Sequence, residues 1–313
     1  MKNKTGRLLA LILGFVLVMT IFPMRTFARE SVETDRKCTL MLKYDLRNIK
    51  FSLYKVAVIN ASGKLSLTGA FADYQVSLEQ DQEGWQALAE TLEAYVLRDN
   101  IAPTATETTN SGGEAVFNDL AVGLYLVLGE EGALAGITVT PQPFLICLPN
   151  LYDESEPWVY DVTADVKYSY RHVDEEDGKV KRKVLKVWDD GGRKDKRPES
   201  IAVQLLCDGE VFDTVILDES NNWSYTWTDL SDKHIWRVVE KEVPEGYTVI
   251  AEQRGITFVI TNSTSGVPPY KPPEEPKELP QTGMLWWPVG ILSACGIGLI
   301  LIGALRRRKE YGE

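Results

Sequence analysis

Val184-Leu185-Lys186-Val187-Trp188 runs directly into Asp189-Asp190-Gly191-Gly192, a short apolar-rich segment stopped by turn residues. The same pattern recurs down the chain. Ile201–Cys207 is stopped by Asp208-Gly209, a two-residue hairpin signal. Val211–Leu217, Asn222–Trp227, Ile235–Lys241, Tyr247–Ala251 and Ile256–Asn262 follow at short intervals. Seven such runs in about 80 residues predict an all-β sandwich over residues 183–263.

Side-chain parity then picks out three residues. Positions two apart on a strand share a face. Lys186 falls on the face of Val184 and Trp188, Glu240 on that of Trp236 and Val238, and Asn262 on that of Phe258 and Ile260. An unpaired buried charge costs on the order of several kcal/mol. Three strands that each place one polar group among large apolar neighbours therefore suggest that the amine, the acid and the amide meet. Parity alone leaves two readings: a buried Lys–Glu ion pair with Asn262 as bystander, or a reaction between amine and amide.

Lys186-Val187-Trp188-Asp189-Asp190, Arg197-Pro198-Glu199-Ser200-Ile201, Asn222-Trp223, Val239-Glu240-Lys241-Glu242-Val243-Pro244-Glu245-Gly246-Tyr247 and Ile260-Thr261-Asn262 together resemble a collagen-adhesin B-type (Cna B-type) domain. The resemblance implies an intramolecular isopeptide bond between Lys186 and Asn262, assisted by Glu240. The residue types suit that chemistry. Burial favours the neutral, nucleophilic amine and a protonated acid able to hydrogen-bond the amide.

Residues 36–170 are more mixed. Strand-like runs are Cys38–Tyr44, Ile49–Ile59, Glu114–Leu120, Leu124–Leu128, Ile137–Leu148 and Val159–Lys167. One helix is expected over Gln82–Arg98, where Trp85, Leu88, Leu92, Tyr95 and Val96 fall on one face as a core-packing stripe. Phe51-Ser52-Leu53-Tyr54-Lys55-Val56, Phe117-Asn118-Asp119-Leu120, Gly123-Leu124-Tyr125-Leu126-Val127, Pro143-Phe144-Leu145, Leu148-Pro149 and Trp158-Val159-Tyr160-Asp161-Val162 resemble the N-terminal domain of Gram-positive backbone pilins. In pilins a Tyr-Pro-Lys motif closes this last strand and its lysine joins the next subunit. Lys167 stands at that position, but Asp165 and Val166 precede it. It is read either as the polymerising lysine or as an exposed strand-end lysine. No isopeptide bond is expected in this domain: Lys43 offers an amine, but Gly129 occupies the place of the assisting acid and Glu130 is one residue out of phase.

The chain ends carry addresses. Lys2, Lys4 and Arg7 precede an apolar stretch from Leu8 to Phe22, and Thr26-Phe27-Ala28 offers small residues for cleavage, so residues 1–28 read as a secretory signal peptide. Near the other end stand Leu279-Pro280-Gln281-Thr282-Gly283, an apolar run over 284–305 long enough to span a bilayer, and the cations Arg306, Arg307, Arg308 and Lys309. Residues 279–313 resemble the cell-wall sorting signal of Gram-positive surface proteins. The resemblance implies a sortase that cleaves after Thr282 and passes its carbonyl to an amine. Residues 171–182 are polar and charged and read as a linker. Residues 264–278 are Pro-rich and read as a semi-rigid wall spacer.

Between Arg29 and Thr282 the chain holds 26 Lys and Arg against 43 Asp and Glu, a net −17. That argues against nucleic acid or anionic lipid as partner. Cys38, Cys147 and Cys207 show no metal-ligand spacing; Cys38 and Cys147 are read as free thiols or as a pair within one domain. His172 and His234 have no evident catalytic partner. The expectation is a mainly β, two-domain protein, secreted and wall-anchored, and not an enzyme. It binds no cofactor or metal. Its partners are a sortase, peptidoglycan and other pilin subunits, and it meets the membrane only through the sorting signal. The alternative is a monomeric wall-anchored adhesin or accessory pilin that binds a host or matrix ligand.

Overall fold

The computed structural model of the protein describes residues 31–134, 136–151, 157–172 and 178–264. The expected signal peptide, the spacer beyond Thr264, the Leu279–Gly283 motif and the apolar run 284–305 lie outside the described residues. Among those described, no helix is long and apolar enough to cross a membrane.

The protein is mainly β. In its first part, alternating apolar residues build strands β1 (Lys37–Lys43), β2 (Lys50–Ile59), β3 (Leu65–Leu67), β4 (Ala105–Thr108), β5 (Glu114–Ala121) and β6 (Gly123–Gly129). The segment continues with β7 (Gly132–Leu134), β8 (Ile137–Pro141), β9 (Phe144–Leu148), β10 (Asp161–Asp165) and β11 (Tyr168–His172). Three sheets form, ordered β10-β1-β5, β3-β2-β6-β9 and β11-β8-β7, with β4 also on β2. Their inner faces bury Leu40, Leu42, Phe51, Leu53, Phe117 and Leu148. Each such side chain contributes roughly 1.5–3 kcal/mol by leaving water. Gly123 (φ +156°) sits where β2 slips register between Lys55 and Ala57. A Cβ there would lie 2.5 Å from the Ala57 carbonyl oxygen, so only glycine fits.

One expectation fails in detail. Ile137–Leu148 reads as a single strand, but the chain breaks at Gln142-Pro143 and changes sheet. β8 pairs with β7 and β11, while β9 pairs with β6. Pro143 has no N–H to give a ladder.

Helix α1 (Gln82–Arg98) forms over the span its apolar stripe predicts. The Asp81 side chain caps it by accepting from the Gly84 amide at 2.8 Å, and Glu83 in the first turn and Arg98 in the last suit the helix dipole.

The second part is a sandwich. Its strands are β12 (Lys179–Asp189), β13 (Ser200–Cys207), β14 (Glu210–Asp218), β15 (Ser224–Ser231), β16 (Trp236–Glu240), β17 (Thr248–Arg254) and β18 (Thr257–Ser263). One sheet runs β15-β12-β18-β17 and the other β14-β13-β16. β12 starts at Lys179, inside the segment read as linker, because Lys179–Leu185 find partners along β15. The β13–β14 hairpin turns through Asp208 and Gly209, both with positive φ (+50° and +94°).

The two parts share a core. The inward stripe of α1 (Leu88, Leu92, Tyr95, Val96) and the sandwich residues Val203, Leu205, Trp236, Val249 and Phe258 belong to one continuous buried cluster.

Candidate functional site

Lys186 stands near the C-terminal end of β12, Glu240 ends β16 and Asn262 lies near the end of β18. β12 and β18 are parallel neighbours with Lys186 opposite Ile260 and Trp188 opposite Asn262, so Lys186 and Asn262 point to one face. β16 belongs to the facing sheet and delivers Glu240 from the other side.

The three side chains meet in the sandwich interior. Lys186 Nζ lies 3.5 Å from Glu240 Oε2, and both side chains have no exposed area. Asn262 Nδ2 donates to Glu240 Oε1 at 3.0 Å. Glu240 therefore bridges the amine and the amide, one oxygen toward each. The face of Trp188 lies beneath the amine, 4.4 Å from Nζ to the ring centroid. The remaining contact of Nζ is long, 3.4 Å to the Val187 carbonyl.

Burial decides the protonation. It pushes the Lys186 amine down from 10.5 to about 7, against the pull of Glu240. It pushes the Glu240 carboxyl up, against the pull of Lys186 and the Asn262 amide. Both groups move toward their neutral forms, as expected where neither ion can be solvated. Asn262 Oδ1 is buried without a hydrogen-bond partner, and Glu240 Oε2 has only the 3.5 Å ion-pair contact with Lys186 Nζ. The amide presents its nitrogen to the acid and leaves its carbonyl free. The acid's hydrogen bond is thus to the nitrogen end of the amide.

A second buried group closes the end of the chamber. Asp190 reads in sequence as a turn residue and Arg193–Arg197 as a solvated basic loop. In the structure Arg197 grips the fully buried Asp190 carboxylate with two bonds, 2.7 and 2.8 Å. The Tyr247 hydroxyl donates to it at 3.2 Å. The Arg197 hydrogen bonds hold the Asp190 carboxyl far below the usual carboxylate range. Tyr247 and Trp223 pack edge-on against Trp188, which walls the amine. Sequence spacing gives little sign of this pair, since both residues sit among turn formers.

The other candidates are apart from this site. Lys167 is exposed between β10 and β11, with its carbonyl held by the Gln142 amide at 2.8 Å. In the first domain Lys43 is exposed, and Glu130 reaches Lys50 Nζ at 3.1 Å at the surface. Cys38, Cys147 and Cys207 are free thiols. Cys207, Asp208 and His234 converge at the β13–β14 turn with ligand atoms within 4.8 Å of one another, a grouping the sequence spacing does not reveal. Both Asp208 oxygens are engaged there, by the Ile235 amide at 2.8 Å and by His234 Nδ1 at 2.5 Å, which ties two turns together.

Comparison with known proteins follows these two parts. Residues 39–166 match the family model for the Gram-positive pilin subunit D1, N-terminal domain. Residues 182–263 match that for the Cna protein B-type domain. A collagen adhesin of Staphylococcus aureus is 36% identical over 137 residues, 41% of this chain and 12% of the adhesin. The chain thus spans about an eighth of that relative's length. Among solved structures, a single B repeat of the Staphylococcus aureus collagen-binding surface protein aligns at 19% identity, covering 72% of this chain and 96% of that one, with a TM-score of 0.27. The full-length major pilin SpaD of Corynebacterium diphtheriae aligns at 17% identity, covering 74% and 65%, with a TM-score of 0.29.

Proposed function

We infer that this chain, which carries a Gram-positive pilin D1 domain followed by a Cna B-type domain, is a cell-surface structural subunit that cross-links itself. The observation that carries the reading is the buried Lys186–Glu240–Asn262 constellation inside the Cna B-type domain. Lys186 Nζ attacks Asn262 Cγ, a C–N bond forms, and the Cγ–Nδ2 bond breaks. Glu240 takes a proton from the attacking amine on one oxygen and delivers a proton to the departing nitrogen on the other, so ammonia leaves and the acid is regenerated. The product is a neutral secondary amide in place of an ionisable amine that the interior cannot solvate, and Glu240 remains beside it.

In this reading residues 1–28 export the chain. A sortase cleaves between Thr282 and Gly283 within the Leu279-Pro280-Gln281-Thr282-Gly283 motif, and the Thr282 carbonyl passes to an amine. For a shaft subunit that amine is Lys167 of another copy, exposed and free to be reached, and the last copy is joined to peptidoglycan. The protein is a substrate of enzymes and not an enzyme acting on others. A second reading, a singly anchored adhesin or accessory pilin, is favoured by the likeness to the collagen adhesin and would make an extracellular-matrix protein the ligand.

Intact mass tests the self-cross-link. The chain from residue 31 to 264 should weigh about 17 Da less than its sequence, one ammonia, and Lys186→Ala or Glu240→Ala should carry no deficit. A wild-type chain at full mass would sink the bond. Boiled wall extracts on denaturing gels separate shaft from adhesin. A ladder that collapses to one band in Lys167→Ala supports the shaft, whereas one band in the wild type contradicts it.

A further inference from the structure

The two sheets of the sandwich end, on one side, in β17 and β16. An open edge there would leave a row of unpaired amides and a seam into the interior. Helix α1 of the first domain and the chain just before it cover that edge. On β17, the Val249 amide donates to Gln75 O at 2.8 Å, the Ala251 amide to Thr91 Oγ1 at 2.8 Å and the Gln253 amide to Glu90 Oε2 at 3.0 Å. These are alternate residues, the ones whose amides point away from β18, and each is answered by the first domain. On β16, Arg237 reaches out to Glu93 of α1 at 2.7 Å.

This cover lies close to the reactive acid. Glu240 is the last residue of β16, the edge strand. Tyr95 of α1 is buried, and its phenol is held up first by burial and next by the nearby Glu240 carboxylate. A cleft of 370 Å³ opens between α1 and the sandwich and reaches Ala94, Val238, Ala251 and Phe258, yet none of Lys186, Glu240 or Asn262 lines it. The cleft thus stops short of the chamber.

We propose that α1 of the first domain is a wall of the reaction chamber in the second, so that isopeptide formation follows docking of the two domains. This rests on the self-cross-linking reading. The reason is solvation. The amine attacks only when neutral, and a seam open to water between β16 and β17 would stabilise the ammonium and carboxylate instead. The positioning residues are Thr91, whose hydroxyl meets both the amide and the carbonyl of Ala251 (2.8 and 3.2 Å), and Ala94, small enough to admit the sandwich edge. The bond would then be made last, once the two domains have come together.

The test follows bond formation in newly synthesised chain 31–264 by intact mass at successive times. Ala94→Arg, which drives a cation into the docked edge, should lose ammonia at least about tenfold more slowly than wild type while its near-ultraviolet tryptophan spectrum stays native. Thr91→Val, a milder change of equal shape, should slow the loss about fivefold, the worth of one hydrogen bond, and Thr91→Ser should restore it. Thr91→Val decides the matter if Ala94→Arg does not fold. Hydrogen exchange at amides 249, 251 and 253 reports whether α1 has come away. Wild-type rates in a chain with those amides released would overturn the proposal and leave the bond intact. A wild-type chain that never loses ammonia would overturn the bond itself, and the proposal with it.

Discussion

Replacing Asn262 with Ala removes the electrophile and leaves Lys186 beside Glu240. The size of the effect follows from where the bond would fall. It would close a loop of about 76 residues, from position 186 to position 262. The chain-entropy relation for cross-links gives about 4.5 kcal/mol for a loop of that length. How this appears on heating depends on what unfolds together. The second domain alone, about 87 residues, has an unfolding entropy of about 0.18 kcal/mol/K, so its Tm would fall by about 25 °C. If residues 31–264 unfold as one unit, the entropy is about 0.5 kcal/mol/K and the fall is about 9 °C. The shared core and the capped edge strand favour the smaller figure. Scanning calorimetry of both proteins, with intact masses taken on the same samples, measures it. A wild type that carries the mass deficit yet melts within about 2 °C of Asn262→Ala would refute the reasoning.

Three further outcomes are expected. Arg197→Met strands the buried Asp190 carboxylate and should destabilise the second domain by about 3 kcal/mol in urea unfolding. It should also flatten acid sensitivity: the depressed Asp190 carboxyl gives stability that is present above its unfolded value of 3.8 and lost as pH falls toward the folded one. In Asn262→Ala, where Lys186 stays a free amine, the unfolded chain binds more protons than the folded one between pH 7 and 10.5. Stability should therefore rise with pH across that window, by at most about 1.4 kcal/mol per pH unit, and the added change Lys186→Met should abolish the rise in urea titrations at pH 7, 8 and 9. Gly123→Ala should lower stability by more than about 1 kcal/mol, because its methyl meets the Ala57 carbonyl; an unchanged midpoint would show that the register slip can relax.

What the sequence made legible was set by period and parity. Alternation placed the seven sandwich runs, and the apolar stripe placed α1. Parity put Lys186, Glu240 and Asn262 on inward faces because each lies two residues from large apolar neighbours. Signals that depend on tertiary partners were not legible. Glu90, Thr91 and Glu93 lie off the apolar stripe of α1, and it is the amides of β17 and Arg237 of β16 that turn that face into an interface. Asp190 and Arg197 look like loop residues because burial of a turn carboxylate depends on a guanidinium seven positions away. The break at Gln142-Pro143 is hidden within an apolar run, where composition favours strand on both sides. The direction of the Asn262 amide has no sequence signal at all, since oxygen and nitrogen exchange by rotation about one bond.

In both domains the opening strand lies parallel to one near the close: β1 beside β10 over five register pairs, and β12 beside β18 over seven. Tension applied at the start of one strand and the finish of its parallel neighbour slides the two lengthwise. The interstrand bonds then have to yield together and cannot peel away one after another. A chain pulled from its two ends would meet this shearing geometry twice, before any covalent tie is counted.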